Sequence, residues 1–285
     1  MKRIVLLSII LMMFNLNKLQ SQTISKNESK TIVKSVKSEE GHEYELLVRL
    51  PPNYNNQNNY KVLYYLDGWW LSELVNGSYR LLDLTQNMEE VILVGISIEG
   101  DEAAWHIQRN RDYTPSTYDK EKMRFSMKGG TYELNEETTG GGEDFIEFLK
   151  GVVFHEIESI YNVDKENRGI LGHSFGGLFA YYCLVQYPNL FNNYILISPA
   201  IWWNKSELLT DDIKSKIDAE ANIYVVMGEL ENNMLKRPIE ELKEELTKRE
   251  NEENILEFRE YNEMDHHSIL PIGIYEGMQI LYGLE

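Results

Sequence analysis

The chain has 285 residues, 42% of them hydrophobic, and a formal charge of −18, enough apolar material to bury the core of one large α/β domain. The charge argues against nucleic acid, whose phosphates need clustered lysine and arginine, and against a polybasic membrane contact. Cys183 is the single cysteine, so no intrachain disulfide can form, and its apolar neighbours make it a small buried hydrophobe.

Residues 1–21 read as a cleaved secretory signal: Lys2 and Arg3, an apolar run from Ile4 to Phe14, then Leu19-Gln20-Ser21 as the cleavage site. The run is too short to span a bilayer, and no cysteine near the cleavage point offers a lipid anchor. The expectation is a secreted or periplasmic protein with no lasting membrane anchor, residues 22–285 forming one domain. Residues 23–38 alternate weakly and predict an edge strand. Residues 43–50 alternate clearly, with Tyr44, Leu46, Val48 and Leu50 on one face, until Pro51-Pro52-Asn53 stops them. The short apolar runs 61–66 and 91–98 predict buried parallel strands, with a helix-length segment over 72–90 between them.

Residues 99–142 show no regular period. They carry Trp105, Arg109, Arg111, Tyr113, Tyr118 and Tyr132, and end in Gly140-Gly141-Gly142. A loop of that length inside a compact domain is usually functional, so a lid or binding insert is expected, with the triple glycine as a hinge. Those glycines lack the Lys-Ser/Thr ending of a phosphate-binding loop. Residues 143–161 predict a helix with Phe145, Phe148, Leu149, Val152, Ile157 and Ile160 near helical spacing.

The stretch 169–187, GILGHSFGGLFAYYCLVQY, is the most informative. An apolar strand ends in Gly172-His173-Ser174-Phe175-Gly176 and an apolar helix follows at once. A serine on so sharp a turn forces a strained backbone, which admits only small residues two places before and after it. Gly177 then lets the helix pack close to the sheet. Ser174 is the candidate nucleophile; the bland alternative is a serine that merely caps a helix. Strands are expected at 194–198, 222–227 and 255–261. Helices are expected at 205–219, from Pro238 to about 249, and at 271–282. Strands alternating with helices predict an α/β fold, a mostly parallel sheet with helices on both faces.

A serine hydroxyl is a poor nucleophile near neutral pH without a histidine to take its proton and an acid to orient that histidine. On a strand–serine–helix turn of this kind the chain order is serine, acid, histidine. Only His266 and His267 follow Ser174, just past the last strand. The acid should follow the strand at 222–227, where Glu229 and Glu231 are the candidates; Asp265 is too near His266 in sequence to orient it. An oxyanion needs two backbone N–H donors, one from Phe175 and one from Trp69 or Gly68. All five tryptophans, Trp69, Trp70, Trp105, Trp202 and Trp203, fall past strand ends or in the insert. That placement suggests an aromatic or sugar-lined pocket, against the alternative of packing beneath loops. Arg109 and Arg111 are candidates to meet a substrate anion or to pair with Asp112 and neighbouring acids. No metal is expected, because His266 and His267 are adjacent and no H-E-x-x-H or paired-cysteine spacing occurs. No cofactor is expected either.

Several blocks together resemble a known family. They are Tyr64-Tyr65-Leu66-Asp67-Gly68, Arg109-Asn110-Arg111-Asp112-Tyr113-Thr114-Pro115, Gly172 to Gly177, Ser198-Pro199-Ala200-Ile201-Trp202-Trp203, Gly228 to Glu231, and Asp265-His266-His267-Ser268. In this order they are similar to the bacterial esterases of the α/β-hydrolase superfamily, from about Tyr44 to Gly283. That group includes enterochelin and salmochelin esterases, feruloyl and acetyl-sugar esterases and, more distantly, S-formylglutathione hydrolase. The resemblance implies an α/β-hydrolase fold with the insert near the active site, and a catalytic set of Ser174, His266 and Glu231. It selects His266 over His267 by the serine two places on, and Glu231 over Glu229 by distance from the strand-ending glycine; some members work as serine–histidine dyads. The tryptophan pair after Ser198-Pro199 looks most like the siderophore-esterase branch, with Trp70, Trp202, Trp203, Arg109 and Arg111 as substrate contacts. His267 stands where that branch commonly has glycine, and His155 where proline is frequent. The implied activity is hydrolysis of a small-molecule ester, aromatic or sugar-linked. A catechol siderophore ester comes first and a feruloyl or acetyl ester on polysaccharide second. The rival of another class is a non-catalytic binding protein on the same fold.

Overall fold

In the computed structural model the described residues are 31–118, 123–127, 130–210, 221–248 and 254–284, with backbone alone at 125–127. The predicted signal segment lies outside them, as does most of the helix expected at 205–219.

The described residues form ten strands: β1 (Ile32–Lys37), β2 (Glu43–Arg49), β3 (Tyr60–Tyr65), β4 (Val91–Ile98), β5 (Met123–Met127), β6 (Gly130–Leu134), β7 (Val163–His173), β8 (Asn193–Ile197), β9 (Asn222–Gly228) and β10 (Leu256–Tyr261). Eight form one sheet in the order β1-β2-β4-β3-β7-β8-β9-β10, while β5 and β6 pair as a separate hairpin. β2 runs antiparallel to both β1 and β4. From β4 through β10 every pairing in the large sheet is parallel. This is the α/β-hydrolase architecture, and its consequence is that β3, β7, β8, β9 and β10 all end at the same edge of the sheet.

Alternation along the strands sends successive side chains to opposite faces. Val62, Tyr64, Ile170, Leu196 and Val225 face one way, onto Phe145, Leu178, Phe179 and Leu242. Leu63, Tyr65, Leu171, Ile195 and Val226 face the other way, onto Leu71, Val75, Tyr79, Ile274 and Met278. Helices α1 (Gly68–Leu84) and α7 (Leu270–Tyr282) therefore cover one face. Helices α3 (Gly142–Phe148), α4 (Phe154–Ile160), α5 (Phe175–Gln186) and α6 (Asn233–Thr247) cover the other. A π-helical turn, Leu149–Val153, joins α3 to α4. Among the described residues no helix is long and apolar enough to cross a membrane.

Several sequence expectations change. The segment 99–142 is not irregular: it contains helix α2 (Glu102–Asp112) and the β5–β6 hairpin. Its triple glycine is a docking point, not a hinge. A Cβ on Gly140, Gly141 or Gly142 would lie 2.7 to 2.9 Å from Thr117, Arg111 or Thr114. The N–H groups of Gly141 and Gly142 donate to the carbonyls of Arg111 and Thr114 at 2.9 and 3.0 Å. Helix α6 begins at Asn232, whose side chain caps the N–H groups of Met234 and Leu235, so Pro238 lies inside the helix instead of opening it. At 203–209 the described residues form short turns, with Asn204, Lys205 and Ser206 left-handed, in place of the expected start of a helix at 205.

Candidate active site

Ser174 sits between β7 and α5 with φ 56° and ψ −114°, a strained conformation costing on the order of 1–3 kcal/mol. Its surroundings fix it there. The Ser174 N–H donates to the Ile197 carbonyl at 3.0 Å, and the Ser174 carbonyl accepts from Leu178 and Ala200 at 2.9 Å each. A Cβ on Gly172 would fall 2.2 Å from the Gly176 carbonyl oxygen, and one on Gly177 2.9 Å from Pro199. The glycines at these places are therefore steric requirements of the turn.

Glu231 follows β9 and is buried. Its Oε1 accepts from the Ser198 hydroxyl and, at 3.2 Å, from the Gly228 N–H; its Oε2 accepts from His266 Nδ1 at 3.3 Å. Burial alone would raise this carboxyl, but the bonds from His266, Ser198 and Gly228 outweigh burial and hold it below its ordinary value. Glu229 instead accepts from the Glu263 N–H at the surface. Of the two acids, Glu231 is the one against the histidine.

The loop after β10 carries His266. Asp265 Oδ1 accepts from the N–H groups of His267 and Ser268 at 3.0 and 2.8 Å, which holds the Asp265 carboxyl down at about 2. Thus Asp265 shapes the loop and leaves the histidine to Glu231. A residue the sequence reading passed over, His173, donates from Nε2 to the His266 carbonyl at 2.7 Å. Burial, with His266 beside it, pushes its imidazole well below the ordinary value, so it is a neutral tie between the serine turn and the histidine loop. Its place inside the serine motif was the available signal. Among the described residues no hydrogen bond joins the Ser174 hydroxyl to His266; contacts of this kind tighten when substrate binds.

Ser174 and His266 open on one cavity of about 530 Å³ whose walls include Trp69, Trp70, Trp105, Trp202, Arg109, Phe175, His106 and His267. Trp70 packs edge-on against both His173 and His267. Burial, with Arg109 or His266 nearby, lowers His106 and His267 and keeps these imidazoles neutral. Phe175 opens α5 and Trp69 lies in the first turn of α1, where backbone N–H groups have no intrahelical acceptor. The N–H groups of Trp70 and Leu71 turn back to the Asp67 carbonyl at 2.9 Å, leaving those of Gly68 and Trp69 for another acceptor.

Two expected substrate contacts stand elsewhere. Trp203 is fully buried, its indole N–H donating to Ser116 and its ring edge-on to Phe175, so it supports the cavity floor. Arg111 pairs with Asp112 at 2.8 and 2.6 Å and with the Tyr44 hydroxyl at 3.3 Å, away from the cavity. Residues two apart on a helix leave different faces, and Arg109 is the one that faces the cavity. His155 is exposed on α4. Among the described residues no cluster of three or more His, Cys, Asp or Glu could hold a metal ion.

A mostly parallel sheet carrying a serine on a strained strand-to-helix turn, with a carboxylate and then a histidine on the loops after β9 and β10, defines a serine hydrolase of the α/β-hydrolase class. Comparison with known proteins narrows this. The family model "Putative esterase" matches residues 38–269, and the chain belongs to that family; it is a carboxylic ester hydrolase. It is 32% identical over 245 residues, 82% of each chain, to "Ferri-bacillibactin esterase BesA" of Bacillus subtilis (strain 168). It is 24% identical over 167 residues, 59% of this chain and 50% of the relative, to "Apo-salmochelin esterase" of Escherichia coli O6:H1. Among solved structures, the BES protein from Bacillus cereus superposes with a TM-score of 0.77 at 25% identity, covering 92% of this chain and 98% of that one. The IroE-like serine hydrolase from Shewanella oneidensis gives 0.74 at 24% identity, covering 89% and 80%.

Proposed function

We propose that the chain hydrolyses a catechol siderophore ester through an acyl-enzyme formed on Ser174. The carrying observation is the wall of four indoles, Trp69, Trp70, Trp105 and Trp202, around Ser174 and His266 in one cavity. Indole faces stack on flat aromatic acyl groups, and the cavity is large enough for a small-molecule ester. The names of relatives such as the ferri-bacillibactin and salmochelin esterases support the same substrate class.

In this reading the Ser174 oxygen attacks the ester carbonyl while His266 takes the hydroxyl proton. Glu231 orients the imidazole through Nδ1 and stabilises it once charged. The oxyanion is met by the N–H of Phe175 and that of Trp69 or Gly68. His266 then returns the proton to the leaving alcohol. Water, giving its proton to His266, attacks the acyl-enzyme; the bond to the Ser174 oxygen breaks, His266 returns the proton to that oxygen, and the acid leaves. Residues 1–21, read as a secretory signal, support an activity outside the cytoplasm; fractionating cells that express the full chain and sequencing the N-terminus of the product would test that part.

The test compares wild type with Ser174→Ala and His266→Ala on p-nitrophenyl butyrate, bacillibactin, enterobactin and methyl ferulate. Turnover of the siderophores, with loss of about 10³-fold or more in both variants at unchanged folding, is the expected result. Retained turnover in Ser174→Ala overturns the nucleophile assignment. Methyl ferulate cleaved in preference to both siderophores would move the substrate to feruloyl esters.

A further inference from the structure

Helix α2 is fastened beneath the turn that carries Gly68 and Trp69. Trp105 and Arg109 stand one helical turn apart, so their side chains leave the same face of α2. Both meet Asp67, which is 1% exposed and left-handed at φ 55°. The Asp67 carboxylate accepts from Trp105 Nε1 at 3.0 Å, from Arg109 Nε at 2.8 Å and from Arg109 Nη2 at 3.1 Å. Its backbone N–H donates to the Tyr113 hydroxyl, just beyond α2, at 3.2 Å. Four contacts from one short segment thus hold a single residue, the one immediately before Gly68.

The same guanidinium reaches the other half of the site. Its carbon lies 5.6 Å from the ring centre of Phe175, within cation–π range. Arg109 is buried, and its two-point fork is already closed on a carboxylate. For Arg109 to grip a substrate anion by that fork, Asp67 would have to be left as an unpaired buried charge, which is strongly unfavourable. Its position suits a different task. Donors aimed at an oxyanion accelerate acyl transfer only when they are held in place beforehand.

Resting on the reading that Phe175 and Trp69 or Gly68 supply the oxyanion donors, we propose that the Asp67–Arg109 pair is a positioning device for the oxyanion site. It locks the β3–α1 turn and the start of α5 in one geometry. Helix α2 is then the jig of the catalytic centre and not a lid over it. The pair acts through the donors and takes no proton.

The experiment measures kcat, KM, the thermal midpoint and the inhibition constant of a phenylboronic acid, whose tetrahedral adduct on serine mimics the oxyanion. The variants are Asp67→Asn and Arg109→Lys, both close in shape to the native side chains, and the double variant. Each single change should lower kcat by about 10–100-fold, a fraction of what losing a whole oxyanion donor does. KM should stay within about twofold, and boronate affinity should fall in step with kcat/KM. The double variant should be no worse than the poorer single one, since one device is being broken. A raised KM with unchanged kcat would overturn the proposal and make Arg109 a substrate contact. A lowered midpoint with kcat and boronate affinity per folded molecule unchanged would reduce the pair to packing. Failure of the nucleophile reading shows separately, as activity surviving in Ser174→Ala.

Discussion

Ser174, Glu231 and His266 each stand just past the carboxyl end of a strand in one parallel block, whereas Trp105 and Arg109 reach the same cavity from a helix outside the sheet. On the first side the backbone does the placing: β7 pairs with β8, β8 with β9 and β9 with β10, with His173 opposite Ile197 and Gly228 opposite Tyr261. On the second side buried polar contacts do it, above all those on Asp67. A sheet is stabilised over its whole area, so its edge is hard to move. A buried ion pair is a single joint, and removing one partner typically costs about 3–5 kcal/mol. The proposed catalytic set is mounted on the rigid part, and the cavity wall hangs on joints that substitution can tune.

If that contrast holds, the largest effect should come from disturbing the backbone at the serine turn. A Cβ at Gly172 meets main chain at 2.2 Å, and main chain there cannot step aside. Gly172→Ala should abolish phosphonate labelling of Ser174 and lower the thermal midpoint by an amount equivalent to about 1–3 kcal/mol or more. Normal labelling in this variant would show that the turn is softer than its geometry implies. Next in size is the acid. Glu231→Gln keeps the shape but removes the charge that steadies His266, and kcat should fall by about 10²–10⁴-fold. Ser198→Ala removes only one of the three groups holding Glu231 and should cost about tenfold. Equal activity of Glu231→Gln and wild type would point to a serine–histidine dyad.

The same contrast explains what could be read from the sequence. The strands at 61–66 and 91–98, the serine turn and the stripe Ile239, Leu242, Leu246 are local patterns, and the structure has them. Helix α2 escaped because its buried face is Trp105, His106, Arg109, Asn110 and Asp112. That face is mostly polar, and apolar periodicity cannot reveal it. The first half of β7 escaped for a related reason: Asp164 to Arg168 are charged or polar and partly exposed. For the site, chain order and position pointed to Ser174, the two histidines and the two acids. The long-range contacts of Glu231 and Arg109 had no signature. Residue type alone gave Arg109 and Arg111 the same role, although their positions on α2 turn them to different neighbours.

Arg111 leads to the last and smallest test, at the far end of α2. Asp112 is buried there between the Arg111 guanidinium and the Tyr44 hydroxyl, the latter donating at 2.8 Å. Burial pushes its carboxyl up to about 6, even against the opposing pull of Arg111 and Tyr44. An acid whose folded value lies above its unfolded value binds its proton more tightly in the native state. Its favourable contribution is therefore complete below the unfolded value of about 3.9 and is lost as pH rises through about 6. Asp112→Asn cannot titrate, and every other group is shared with wild type. The stability of the variant relative to wild type should thus rise between pH 4 and pH 7, by up to about 3 kcal/mol, and level off above that. Urea unfolding of both proteins across this range measures the difference directly. Parallel curves would mean that the Arg111 pair fully offsets burial, and that the anchor of α2 on β2 is an ordinary ion pair insensitive to pH. Because Asp112 lies outside the cavity, kcat and KM at a fixed pH should be unchanged, which separates this joint from the one at Asp67.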